Sequence, residues 1–359
     1  MVTASVPEAK LGDLRAELAA AGVFDTRELR SWFKLAAIGV GIAGCFVVLA
    51  RFGWISVPVV IPAAGALCTA FAMFGHEGSH RSFSKSPRRN ALLLYLTFPL
   101  FSGLGALYWR DKHDRNHHAH PNVEGLDPDL KPFPFASTRG GHEASGRFLR
   151  WFQRTFQRWL FWPMAVLMPT GMRRNSILFL LRQPRTRQFW IEAGCMTIHY
   201  AGWVLVPSLI WGPLVAIGVY GATWAISGVC LALVFAPAHM GLPVVRHANH
   251  DWQHQIATTR DLGLPRVISF FFIGLDYQLE HHLFPKIPHG HLPRAQQITR
   301  EWCRERGIEH NAMPYLPALA SAVKFMARAW EREAIEMGIP QPESQPAGGD
   351  VQGRVEAVG

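Results

Sequence analysis

Charge is what this sequence has least of. Only 17% of its 359 residues are Asp, Glu, Lys or Arg, against roughly 25% in soluble domains. Hydrophobic residues make up 49% and the mean hydropathy is +0.08, which argues against both a disordered chain and an ordinary soluble domain. Acidic residues are scarcer than basic ones, 26 against 36, leaving a net charge of +10. In so apolar a chain that surplus points to a membrane face rather than to nucleic acid. Cysteine is sparse as well. Cys45, Cys68, Cys195, Cys230 and Cys303 form no CxxC pair and four of them lie in apolar runs, so no disulfide framework is expected and they read as small core residues. Residues 1–30 are polar with one short amphipathic stretch, Leu11 to Phe24, and lack the basic start, apolar core and cleavage site of a signal peptide.

Long apolar runs, by contrast, are plentiful. Four of them, approximately Phe33–Ala50, Ser56–Gly75, Trp190–Trp211 and Pro213–Pro237, match the ~20 helical residues that cross a bilayer core of about 30 Å. Short turns around Arg51–Trp54 and Trp211–Pro213 join them into two helical hairpins. A fifth run, Ala91–Tyr108, is flanked by Arg81, Lys85, Arg88 and Arg89 on one side and Arg110, Lys112 and Arg115 on the other. Basic flanks on both sides predict a segment that returns to its starting face, interfacial or re-entrant. In Phe148–Gly171, Arg150, Arg154 and Arg158 recur beside Trp151, Phe152, Trp159, Phe161 and Trp162, which predicts a second interfacial piece. The termini and the basic loops then share the cytoplasmic side. The expected architecture is all-α: four transmembrane helices in two hairpins, interfacial helices, and a cytoplasmic helical cap. Its expected divisions are an N-terminal segment (1–30), a membrane domain (31–337) and a disordered Pro/Gly/Gln-rich tail (338–359).

The residue in excess is histidine, with 17 copies. Three clusters stand out: His76-Glu77-Gly78-Ser79-His80, His113-Asp114-Arg115-Asn116-His117-His118, and Gln278-Leu279-Glu280-His281-His282. Histidines three or four apart on a helix share a face, and an adjacent second histidine points about 100° further round, toward a second nearby ion. Imidazole suits iron, zinc, copper and nickel. So many imidazoles exceed the needs of one tetrahedral zinc, which makes a two-metal site the economical reading. Of the remaining histidines, His199 is expected to be buried mid-helix, and His247, His250 and His254 to be loop histidines. His289 and His291 read as surface residues, and His142 and His310 carry no signal.

On these residues the chain resembles the integral-membrane fatty acid desaturases, whose three histidine boxes have the forms HxxxH, HxxxHH or HxxHH, and (H/Q)xxHH. Tyr108-Trp109-Arg110 ahead of the second box, Gly125-Leu126-Asp127-Pro128-Asp129 behind it, and the run from Gln278 to Pro288 agree with the acyl-lipid and front-end branch. The resemblance covers about residues 33 to 300 and implies two non-haem irons, with His76, His80, His113, His117, His118, His281 and His282 as ligands. A histidine just past the last membrane helix serves some members, which adds His239. Gln278 stands where others have histidine, and an amide is a poor iron ligand. Gln278, Asp127, Asp129 and His120 are therefore expected to act through water or through a ligand imidazole.

The implied reaction consumes O2 and two external electrons and leaves a cis double bond in a fatty acyl chain, whether carried on lipid, CoA or carrier protein. No Rossmann-type GxGxxG is present, since Gly39-Val40-Gly41-Ile42-Ala43-Gly44 falls inside an apolar membrane-length run, and there is no cysteine cluster or His-Pro-Gly-Gly. A separate ferredoxin or cytochrome-b5-like donor is therefore implied, and the basic face also contacts membrane lipids. Two alternatives stand beside this one. A di-iron hydroxylase or ketolase could use the same residues on a lipid, sterol, alkane or carotenoid. A metal-binding transporter or receptor would place ionisable groups near the bilayer midplane, whereas these clusters lie at helix ends.

Overall fold

The computed structural model describes residues 10–247 and 251–336; the expected tail 338–359 and His250 lie outside them. Among the described residues, three helical runs are long and apolar enough to cross a membrane: Glu28–Ser79, Arg187–Trp211 and Pro213–His239. The first has 52 residues and folds back at Gly53–Ser56 between the helices Glu28–Phe52 and Val57–Ser79. The two halves lie side by side: the α-carbon of Gly39 faces the Phe71 ring and that of Gly41 faces Leu67. Leu35, Ile38 and Ile42 pack with Cys68, Met73, Phe74 and Trp224 in one core. The outward faces stay apolar and uncovered, as at Val40, Val59, Leu209 and Leu214, which is how a helix meets lipid rather than water.

The fifth apolar run does not form a straight helix. Pro87–Ser102 and Ala106–His117 are bent against each other by 112°, with the break at Gly103, whose φ of +70° only glycine adopts without strain. Pro87–Ser102 packs tightly on the end of Val57–Ser79. A Cβ on Gly75 would sit 2.4 Å from the Phe98 ring, and one on Gly78 would sit 2.8 Å from the Asn90 carbonyl oxygen. The glycines inside and beside the first histidine box thus let two backbones approach.

Helix Arg147–Leu160 has its polarity turned inside out. Gln153 and Gln157 are buried, bonded to Pro134, Ala136 and Met326 main-chain groups. Exposed instead are Phe148 (70%), Trp151 (53%) and Trp159 (63%), together with Arg147, Arg154 and Arg158. At about 100° per residue the arginines share one edge of this face and the aromatics the other.

The chain after His239 builds a cap over the ends of the long helices. The fold is mostly helical, consistent with the all-α expectation, and the cap adds one short pairing: Asp261–Gly263 runs parallel to Ala312–Pro314. Single bridges also tie Val123 to Val245 and Val245 to Ile335. Helix Leu11–Ala20, assigned by composition to a separate N-terminal segment, belongs to the cap by packing: Leu14 and Leu18 are buried against Leu279, Ile287 and Trp302.

Candidate metal centre

The three histidine clusters converge where the long helices end against the cap. His76 is in the last turn of Val57–Ser79 and His80 caps it. His239 closes Pro213–His239, and His281 and His282 lie on the short helix Gln278–Leu283. Eight buried histidines form two adjoining groups. His76, His80, His113, His118 and His281 make one, and His117, His239 and His282 the other; within each group one ring nitrogen per residue lies within 4.8 Å of the rest.

The second cluster distributes its histidines differently from the α-helical expectation. On an α-helix His113 would share a face with His117. Here Arg110–His117 is a π-helix, and the amide of His118 donates to the carbonyl of His113, five residues back. The wider turn brings His113 and His118 to the same spot, 3.1 Å apart at their Nε2 atoms, and sends His117 to the other group. Such π turns are rare and concentrate at functional sites.

In the five-histidine group the nitrogens point at one another: His76 Nε2 is 2.9 Å from His113 Nε2, and His281 Nε2 is 3.1 Å from His118 Nε2. His80 Nε2 is buried without a hydrogen-bond partner. Burial holds His80 down to about 3, and burial with neighbouring imidazoles holds His118, His281 and His282 well below the usual histidine range. These rings are neutral at physiological pH and have lone pairs to give. The Trp109 ring, 4.4 Å from that of His113, closes one side with an apolar wall.

The three-histidine group is organised from outside. Each Nδ1 faces an acceptor: Asp127 Oδ1 for His117 at 3.1 Å, the Thr258 carbonyl for His239 at 3.2 Å and Gln255 Oε1 for His282 at 3.2 Å. An acceptor at Nδ1 places the proton there and leaves Nε2 as a bare lone pair. The Nε2 atoms of His239 and His282 are buried and unpartnered. Orphaned, neutral, converging nitrogens fit a bound metal, and two groups fit two ions.

The other singled-out residues are spread around this centre. Asp127 is buried and also accepts from the amides of Asn122 and Asp129. Asp129 pairs with Lys112 and lies 3.4 Å from His117 Nδ1. The amide nitrogen of Gln278 donates to the Leu275 carbonyl at 2.6 Å. His120 is half-buried near the Asn116 carbonyl, outside both groups. His199 is buried between the Phe101 carbonyl and the Tyr220 hydroxyl. Three histidines differ from their reading as loop or surface residues. His254 is buried and bonds the Pro121 carbonyl, His291 is buried, and His289 donates from its backbone amide to Glu77 Oε1 and has Nδ1 2.9 Å from it. Nothing local announces these contacts, since Glu77 and His289 are 212 residues apart.

The fatty acid desaturase family model matches residues 52–314. Among curated proteins, the chain is 25% identical to the Delta(8)-fatty-acid desaturase 2 of Arabidopsis thaliana, over 88% of this chain and 73% of the relative. It is 26% identical to the sn-1 linoleoyl-lipid 6-desaturase of Synechocystis sp., over 75% and 80%, and 26% identical to the acyl-lipid 8-desaturase of Rebecca salina, over 86% and 71%.

Proposed function

The chain belongs to the fatty acid desaturase family, as a multi-pass membrane oxidoreductase, and from that premise we propose that its two histidine groups hold two iron ions. His76, His80, His113, His118 and His281 serve one ion, and His117, His239 and His282 the other. The observation that carries this reading is the pair of buried, adjoining groups of imidazoles. Their Nε2 atoms converge, and the Nδ1 atoms of the second group are engaged outward. An unactivated methylene has no acidic proton and no leaving group, so side-chain acid–base chemistry cannot dehydrogenate it. The irons would supply the oxidising power, with O2 and two electrons from a separate ferredoxin or cytochrome-b5-like donor, to remove two hydrogens and leave a cis double bond.

The protein's own residues hold, orient and enclose. Asp127, Gln255 and the Thr258 carbonyl fix ring orientation and tautomer in the second group. Trp109 and Phe98 keep water away from the first. The acyl chain has to be laid past both groups, and positioning of this kind is the larger part of what a protein adds to such a reaction.

The membrane arrangement follows in the same reading. Glu28–Phe52, Val57–Ser79, Arg187–Trp211 and Pro213–His239 each cross the bilayer, in two hairpins. At ~1.5 Å per residue, a helix of 23 residues such as Val57–Ser79 reaches across the hydrocarbon layer. Pro87–His117 is re-entrant. Arg147–Leu160 lies in the interface, its aromatic edge toward the acyl chains and its arginine edge toward the headgroups. The termini, the cap and the metal centre are cytoplasmic, and residues 31–337 act as one membrane domain, against whose cap the N-terminal helix Leu11–Ala20 packs.

The test is the lipid profile of cells expressing this chain with a suitable donor, compared with the His281→Ala/His282→Ala variant. A new unsaturated acyl chain that the variant does not make is expected, and derivatisation with mass spectrometry gives its position. A hydroxylated lipid would replace the proposal by an oxygenase on the same residues. No product from protein that holds two irons would overturn the acyl substrate.

A further inference from the structure

A fourth cluster of ligand-type side chains lies outside both histidine groups: Asp261, Glu280 and His310. Glu280 and Asp261 are fully enclosed, at 0% and 1% exposed. His310 Nε2 is 3.0 Å from Glu280 Oε1 and 3.6 Å from Asp261 Oδ2. Asp261 reaches two further elements: its Oδ1 accepts from the amide of Leu279, and its Oδ2 from Gln296 Nε2, both within 2.9 Å. The backbone completes the frame, because the Asp261 amide donates to the Asn311 carbonyl where the two short strands begin.

The position of this cluster gives it its meaning. Helix Gln278–Leu283 has six residues, far below the ~12–15 at which an isolated helix becomes even marginally stable. Yet it delivers His281 to one histidine group and His282 to the other, so its register sets where the two groups stand relative to each other. Asp261 accepts the amide of the helix's second residue, and His310 bonds the side chain immediately before His281.

We propose that Asp261, Glu280 and His310 form a positioning triad that locks the register of the Gln278–Leu283 helix and thereby the spacing of the two metal sites. The inference rests on the reading of His281 and His282 as ligands. The triad touches neither group directly; it acts through the helix that carries one ligand to each.

The experiment uses the full-length protein purified with iron. Wild type is compared with His310→Ala, His310→Gln and Glu280→Gln for iron per chain, for the Mössbauer signature of the coupled irons, and for turnover. In His310→Ala, turnover is expected to fall about ten- to hundredfold, the range typical of partners that orient metal ligands. Its iron content should stay near two per chain at saturating iron, and the coupled signature should shift. His310→Gln, whose side-chain amide can still donate to Glu280, should recover both turnover and signature. Glu280→Gln should shift the signature in the same direction as His310→Ala. A merely structural role would lower the folded yield but leave the signature of the folded fraction unchanged. That result, or unchanged turnover in folded His310→Ala protein, overturns the triad while the desaturase reading stands. More than two metal ions per wild-type chain, with the extra ion lost in Glu280→Gln, overturns it in favour of a third metal site. A wild-type protein that binds no iron overturns the ligand reading and the triad with it.

Discussion

The two histidine groups lie side by side but are built on opposite plans. The five-histidine group is made by convergence, with His76, His113, His118 and His281 meeting nitrogen to nitrogen at 2.9–3.1 Å. Its nearest carboxylate, Asp114, is 3.7 Å from His80. The three-histidine group has fewer nitrogens, and every ring is held from behind by an acceptor. Electrostatics divides them as well. Burial would lower His117, but Asp127 and Asp129 outweigh it and raise His117 above the usual histidine range, whereas His118 and His281 are held well below it. On the proposed reading, the crowded group is defined by its own members, whereas the sparse group depends on its outer partners.

The largest expected effect tests the sparse group directly. His239→Ala removes one of three proposed ligands and should reduce iron from two per chain to one. Turnover should drop by more than the ~10–100-fold that loss of an outer partner produces. His80→Ala, one of five, should retain more iron in the same metal analysis. Equal losses from the two variants would erase the distinction. The next effect concerns the outer partners. Asp127→Asn keeps the shape but weakens the hold on His117 Nδ1, and about a ten- to hundredfold loss of iron affinity is expected at the second site. Asp114→Asn should do far less, as iron titration of both variants would show.

A smaller effect is expected at the packing beside the crowded group. Gly78→Ala would place a Cβ 2.8 Å from the Asn90 carbonyl oxygen, and overpacking of this kind costs ~1–3 kcal/mol. Thermal unfolding in detergent should fall by several degrees, with the spectroscopic change confined to the five-histidine group. The smallest effect is on pH dependence. His80, His118, His281 and His282 stay neutral when folded and take up protons when unfolded. The unfolded chain therefore binds more protons below the ordinary value of 6.5, and stability falls as pH drops from there toward about 3. His117, with its raised value, contributes the opposite slope. The melting temperature of iron-free protein should decline on acidification, and less steeply in His80→Gln. A melting temperature that rises on acidification would contradict the burial of these rings.

Much of this molecule was legible in one dimension. Apolar runs of membrane length mark the helices that now carry His76 and His239 at their ends, and box spacing marks His281 and His282 as neighbours that point to different places. Other features were not. Box spacing pairs His113 with His117, yet the π turn pairs it with His118, because a hydrogen-bond register is chosen by the packing around a helix as well as by its residues. Glu280 and His310 meet across 30 residues, and His310 has no neighbours in sequence that mark it. Its role appears only when Asp261–Gly263 and Ala312–Pro314 pair.

What the sequence by itself determined is therefore everything that depends on local period and composition: the membrane-length helices, the three histidine boxes, and the helix ends at which two of them lie. Only the tertiary structure decided which nitrogens share a site, which acceptor stands behind each ring, and what fixes the short helix that joins the two groups. The physical reason is range. Periodicity reports which face of one element is apolar, whereas coordination geometry depends on contacts between elements far apart in the chain, and those exist only once the helices have packed.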